Sequence, residues 1–247
     1  MRHLSLLLAA FSAASVAAQS EPPTVADPPL VAAVKKNDLP GLKAYLKAGE
    51  DVGAKDRSGW TALMWAVGHG GAAMTKALLE AGGDAAPKDV PTYNAMIEVA
   101  KGGPPQVVAL LATRGFDCGA KDELGVPALS YAVAQISPAT AAALLACKAD
   151  VEATDSHGFT PLIHAAQLGQ TSSIDFLLAH GAAVNAQDNQ GYTALMWAAH
   201  GGFAAAVKAL LGAKADPAIE GKDGRTALVI AQARGRTAVV ELLPAAP

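Results

Sequence analysis

Six histidines, two cysteines and a recurring aspartate are the side chains of this 247-residue sequence best equipped for chemistry. A zinc site needs three or four His, Cys or carboxylate ligands close together. His157 and His164 lie seven residues apart, which is not a usual ligand interval, and more than half of the chain separates His69 from His200. Cys118 and Cys147 are too few for a four-cysteine site or a disulfide scaffold. Gly68, Gly70 and Gly71 follow a helical pattern rather than a strand, so they do not read as a phosphate loop. No spacing brings a nucleophile to a base. The sequence reads as non-enzymatic, with no metal and no cofactor. It does carry a chemistry of recognition. Trp60, Tyr93, Phe159 and Tyr192 recur at multiples of one interval, and large stiff rings are enriched where proteins bind one another. Such rings also serve to pack one turn on the next, and spacing alone leaves both uses open.

The interval is 33 residues. Thr61, Asn94, Pro127, Thr160, Thr193 and Thr226 fall on it, as do Leu63, Met96, Leu129, Leu162, Leu195 and Leu228. Asp56, Asp89, Asp122, Asp155 and Asp188 form a third column. A period of about 20–50 residues marks a solenoid of stacked units, none of which can bury its apolar face alone. Residues 155–186 show how one unit is built. Asp155 and Gly158 suit a tight turn, Thr160 an N-cap, and Pro161 the first helical position, where its missing N–H costs nothing. Leu162, Ala165 and Ala166 line one face of a short helix that Gly169 breaks. Ile174, Leu177 and Leu178 give the stripe of a second helix, which Gly181 ends in the left-handed conformation.

The middle of the array departs from this pattern. In the third unit the Leu110-Leu111 pair reads one residue early, with an extra residue before Gly115 restoring the register. Ile136 stands where an inter-helix Gly belongs, and Lys148 and Lys214 occupy the helix-ending Gly position. Trp65, Tyr131, His164 and Trp197 share a column of the first helix that reads as core packing.

The segment Gly158-Phe159-Thr160-Pro161-Leu162-Ile163-His164-Ala165-Ala166 resembles the G-x-T-P-L-H-x-A-A signature of the ankyrin repeat family, with Ile163 in place of the family's His. The resemblance implies an all-α solenoid of about seven 33-residue helix-turn-helix units with short hairpin-like turns. These fall at about 23–55, 56–88, 89–121, 122–154, 155–187 and 188–220, with a truncated last unit at 221–247. It further implies protein binding through a concave face made by the turns and the ends of the first helices. Carried over position by position, that face comprises Arg57, Trp60, His69, Tyr93, His157, Phe159, Gln167, Tyr192, His200 and Arg225. A small-molecule module built on the aromatic column and a purely structural spacer are the competing functions.

Residues 1–18 read as an address rather than a fold. Arg2 and His3 precede an uncharged apolar run at 4–16, and Ala17 and Ala18 supply a small-residue cleavage site, so a cut after Ala18 and a repeat domain over 19–247 are expected. The run is too short to span a bilayer comfortably, and no membrane span is expected in the mature chain. The implied location is periplasmic or secreted. There Cys118 and Cys147, on adjacent units and the same outer side, can pair if their Cα atoms come within about 7 Å. Spacing leaves the bonded and free states open. The apolar fraction of 51% argues for a folded core, and a net charge of −3 argues against nucleic acid as partner. A monomer with a protein partner is expected. With its leader the chain resembles small exported bacterial ankyrin proteins of the periplasm, which implies support of a periplasmic enzyme such as a catalase, or immunity-type blockade of a toxin.

Overall fold

Each repeat folds as a turn and two short helices, and the helices stack unit upon unit. The computed structural model describes residues 26–84 and 94–244, so the leader at 1–18 and Tyr93 lie outside the described residues. Fourteen α-helices there form seven pairs. The first pairs are α1 (Pro29–Lys35) with α2 (Leu39–Lys47), α3 (Ala62–Trp65) with α4 (Gly71–Glu80), and α5 (Ala95–Gly102) with α6 (Pro105–Thr113). The next are α7 (Ala128–Ala134) with α8 (Pro138–Ala146) and α9 (Pro161–Gln167) with α10 (Thr171–Ala179). The last are α11 (Ala194–Gly201) with α12 (Ala204–Gly212) and α13 (Ala227–Ala233) with α14 (Thr237–Val240). First helices pack on first helices and second on second along the array. Among the described residues there is no extended strand, only single antiparallel bridges such as Lys55 with Thr61 and Gln187 with Thr193 at the base of the turns.

The unit anticipated at 155–187 shows the local causes. Thr160 Oγ1 accepts the Ile163 N–H at 3.3 Å, capping α9 behind Pro161. Gly169 at φ 68° breaks the chain into α10, and Gly181 at φ 88° ends it. Leu63, Leu129, Leu162 and Leu195 in the first helices are buried, as are Leu78, Leu111, Leu144, Leu177 and Leu210 in the second. Each such leucine contributes about 1.5–3 kcal/mol relative to exposure. The third unit corrects the expected slip. Leu111 itself occupies the buried column, Leu110 is half-exposed beside it, and Gly115 ends the helix in register with no added residue.

Two departures bear on the binding face. Ile136, Lys148 and Lys214 all adopt left-handed φ, at 53°, 72° and 65°, so the turns keep their shape without glycine. Residues 61–71 (TALMWAVGHGG) carry one residue more than the matching 193–202 (TALMWAAHGG), and the extra residue is absorbed in a π-helical turn at Ala66–Gly70. A one-residue insertion into a helix commonly takes this form.

Candidate functional site

The turns are organised by the aspartate column. Asp188 Oδ1 accepts the N–H groups of Gln190 at 2.8 Å and Tyr192 at 2.9 Å. Asp56, Asp122 and Asp155 make the same pair of bonds in their own units. The second oxygen of each turns to the first helix, nine residues on. Asp56 Oδ2 accepts from the Trp65 indole at 2.9 Å, Asp122 Oδ2 from the Tyr131 hydroxyl at 2.6 Å, and Asp188 Oδ2 from the Trp197 indole at 2.9 Å. In the fifth unit His164 Nε2 lies 3.3 Å from Asp155 Oδ2, with both side chains buried. The column expected to be plain core packing is therefore amphipathic. Its rings pack, and its polar ends hold the turns.

The electrostatics follow. Burial pushes the Asp56 carboxyl up, but the Lys35 ammonium and the Trp60, Trp65 and Ser58 N–H donors outweigh it and leave it below the usual carboxylate range. Asp155 is likewise held low against burial, by His164 and the N–H groups of Phe159 and His157. Burial and the bond to Asp122 push the Tyr131 hydroxyl well above its ordinary range.

On these anchored rings sits the aromatic column of the turns. Trp60 packs on Trp65 at 5.0 Å, Phe159 on His164 at 5.3 Å, and Tyr192 on Trp197 at 5.8 Å between ring centres. Phe159 also reaches Trp197 of the next unit at 5.1 Å, and His157 flanks Phe159 at 6.2 Å. His200 lies 5.8 Å from Trp197, and His69 lies 5.8 Å from Trp65 although it is four residues away rather than three. The π-helical turn accounts for that equivalence, since it adds a residue between the two rings of the second unit. Tyr192, Asp223 and Arg225 close a triangle: Tyr192 donates to Asp223 at 2.6 Å, and Arg225 donates to both.

The expected site residues thus fall into two groups. Trp60 and His69 stand at the N-terminal end, with Lys35 4.6 Å above the Trp65 ring. His157, Phe159, Tyr192, His200 and Arg225 form one continuous row through His164 and Trp197 at the C-terminal end. Trp60, Phe159 and Tyr192 are half-buried, so they pack and remain accessible at once. Arg57 is exposed on its turn and Gln167 is half-buried at the end of α9, and neither takes part in these ring contacts. Between the groups, the fourth unit places Val126 in the ring column, and Lys101 covers Tyr131 at 5.2 Å.

A family model described as ankyrin repeats (3 copies) matches residues 30–122, 95–188, 129–220 and 173–246. The chain belongs to the ankyrin repeat family. Ankyrin repeats are in general non-enzymatic scaffolds for protein–protein interaction. No curated protein matches the chain. Among the described residues no group of three or more His, Cys, Asp or Glu could hold a metal ion, and no helix is long and apolar enough to cross a membrane.

In this ankyrin array Cys118 and Cys147 form a disulfide with Cα atoms 6.1 Å apart, joining the third unit to the fourth. The turn tips are also stitched between repeats: Ser156 N–H donates to Leu124, Asn189 to His157 and Lys222 to Gln190. The polar role of Trp65, Tyr131 and Trp197 escaped sequence reading, although its signal was there. Every ring with a donor in that column stands nine residues after an aspartate.

Proposed function

We propose that this chain is an exported protein-binding scaffold whose partner lies across the face made by the turns and the ends of the first helices, the concave face of ankyrin repeat proteins. The observation that carries the reading is the ring row from His157 to Arg225, half-exposed yet locked from beneath by the Asp155 and Asp188 anchors. Rings held in place before binding lose little freedom on contact, which favours them as interface anchors. Two apolar grooves, by contrast, are lined from the second helices by residues such as Ile136 and Phe176, or Lys76 and Leu110, and include none of the row. That supports a protein partner over a small ligand. The leader, read from sequence, directs the scaffold to the periplasm or outside the cell, where it supports or blocks an enzyme or toxin. Crosslinking in the native compartment identifies the partner. The double substitution Trp60→Ala and Tyr192→Ala is expected to abolish the crosslink while helical circular dichroism is retained. A crosslink of undiminished yield would refute the reading.

A further inference from the structure

We propose that the C-terminal end of the ring row docks an acidic segment of the partner, a stretch carrying several Asp or Glu side chains, against Trp197, His200, Arg234 and Arg236. The proposal rests on the scaffold reading above and narrows its partner class.

The first support is charge. The chain as a whole is acidic, with 22 Asp and Glu against 19 Lys and Arg. Most cations beside the rings are neutralised within the chain. Lys35 bridges Asp27 and Asp56, Lys101 pairs with Glu98, and Arg225 pairs with Asp223. Arg234 and Arg236 differ. Both are exposed, and among the described residues neither has a carboxylate within ion-pair distance. An excess of positive charge has been left at one end of an otherwise acidic molecule.

The second support is placement. Arg234 follows α13 directly, and Arg236 begins the next helix. Arg236 Nε donates to the carbonyl of His200 at 3.3 Å, and its side chain lies against Gly202, where a Cβ would meet Arg236 Cδ at 2.8 Å. The guanidinium is thereby held at the end of α11, one residue pair from the Trp197–His200 contact. Burial, then Arg234, Arg236 and Arg225, hold His200 below the ordinary imidazole range, which reports a positive field at that spot. Apolar ring and unneutralised cation therefore stand together, the pairing that takes carboxylates interleaved with apolar side chains.

A polyanion such as nucleic acid fits less well. Its binding draws on several phosphate contacts, about 6–10 in strong cases, and only two unpaired arginines are present. Exposed charge pairs each add little affinity but set partner choice and the rate of encounter, so specificity is where the arginines should be felt.

The chain has three tryptophans, Trp60, Trp65 and Trp197, so the indole N–H region of a ¹⁵N spectrum reports both ends of the row at once. The full chain is titrated at low salt with a synthetic dodecapeptide of alternating Glu and Phe, with its Lys and Phe counterpart, and with a single-stranded oligonucleotide of equal charge. The Glu peptide is expected to shift the Trp197 indole and leave Trp65 in place. Arg234→Glu with Arg236→Glu should weaken that binding at least tenfold, whereas Lys76→Glu with Lys208→Glu on the second helices should not. The proposal is overturned by no shift, by a shift confined to Trp60 and Trp65, by equal effects of the Lys peptide or the oligonucleotide, or by indifference to the arginine reversal. A native crosslink that needs Trp60 and Tyr192 yet ignores the arginine reversal would leave the scaffold reading standing and remove this one.

Discussion

The indole N–H of Trp197 donates to Oδ2 of Asp188 at 2.9 Å, while Oδ1 of the same carboxylate accepts two backbone N–H groups of the turn. One buried side chain thus ties the binding ring to the helix and the turn to itself. The same bond joins Trp65 to Asp56 in the second unit.

Removing that anchor should cost far more than a surface carboxylate would. Asp188→Ala strands three N–H donors at a buried site, and a loss of about 2–3 kcal/mol is expected in urea unfolding. Asp188→Asn keeps an acceptor oxygen and should lose less. A loss under about 0.5 kcal/mol for the alanine variant would show that water replaces the carboxylate freely.

Acid should release the fifth unit. Burial raises the Asp155 carboxyl, but His164 and the turn N–H groups override it and leave it below its unfolded value. A carboxyl depressed in the folded state stabilises above its unfolded value, about 3.9, and that stabilisation disappears as pH falls through the folded value. Thermal melts of the native chain and Asp155→Asn should differ at pH 7 and converge well below pH 4. A gap that stays constant to pH 2 contradicts the assignment.

The left-handed positions make a test of backbone cost. Lys148 at φ 72° and Lys214 at φ 65° hold a conformation that glycine adopts at Gly49, Gly82, Gly115 and Gly181 in the other units. Lys148→Gly and Lys214→Gly should be neutral or stabilising by up to about 1 kcal/mol. Ile136 is β-branched and 56% exposed at φ 53°, so Ile136→Gly should gain more. Lower melting temperatures in all three variants would mean that their side chains contribute contacts outweighing the strain.

The disulfide closes a sequence separation of 29 residues between adjacent units. Chain-entropy arguments put such a loop at about 3–4 kcal/mol. Reduction, or Cys118→Ala with Cys147→Ala, should lower the melting temperature clearly, and thiol counting of the denatured, unreduced chain should find none free. Two titratable thiols would exclude the bond.

How much of this was legible beforehand varies with the range of the interaction. The period, the turns at Gly158 and Gly191, the Thr160 and Thr193 caps and the leucine columns all follow from residues within a few positions of each other. Local backbone preference and the spacing of apolar side chains suffice for them. The ring column was visible as a pattern, but its double character was not, because whether Tyr192 packs or projects depends on Trp197 beneath it and Arg225 beyond it.

By itself the order of amino acids determined the repeat, the helix pairs and the positions that face the turns, since each is set by short-range geometry repeated every 33 residues. Only the stacked structure decided which rings join into one row, that a π-helical turn brings His69 to the place His200 holds, that Cys118 meets Cys147, and that Arg236 rests on the end of α11. Those contacts cross from one unit to the next or turn on a single inserted residue. Their distances are fixed by how units pack, which no spacing along the chain encodes.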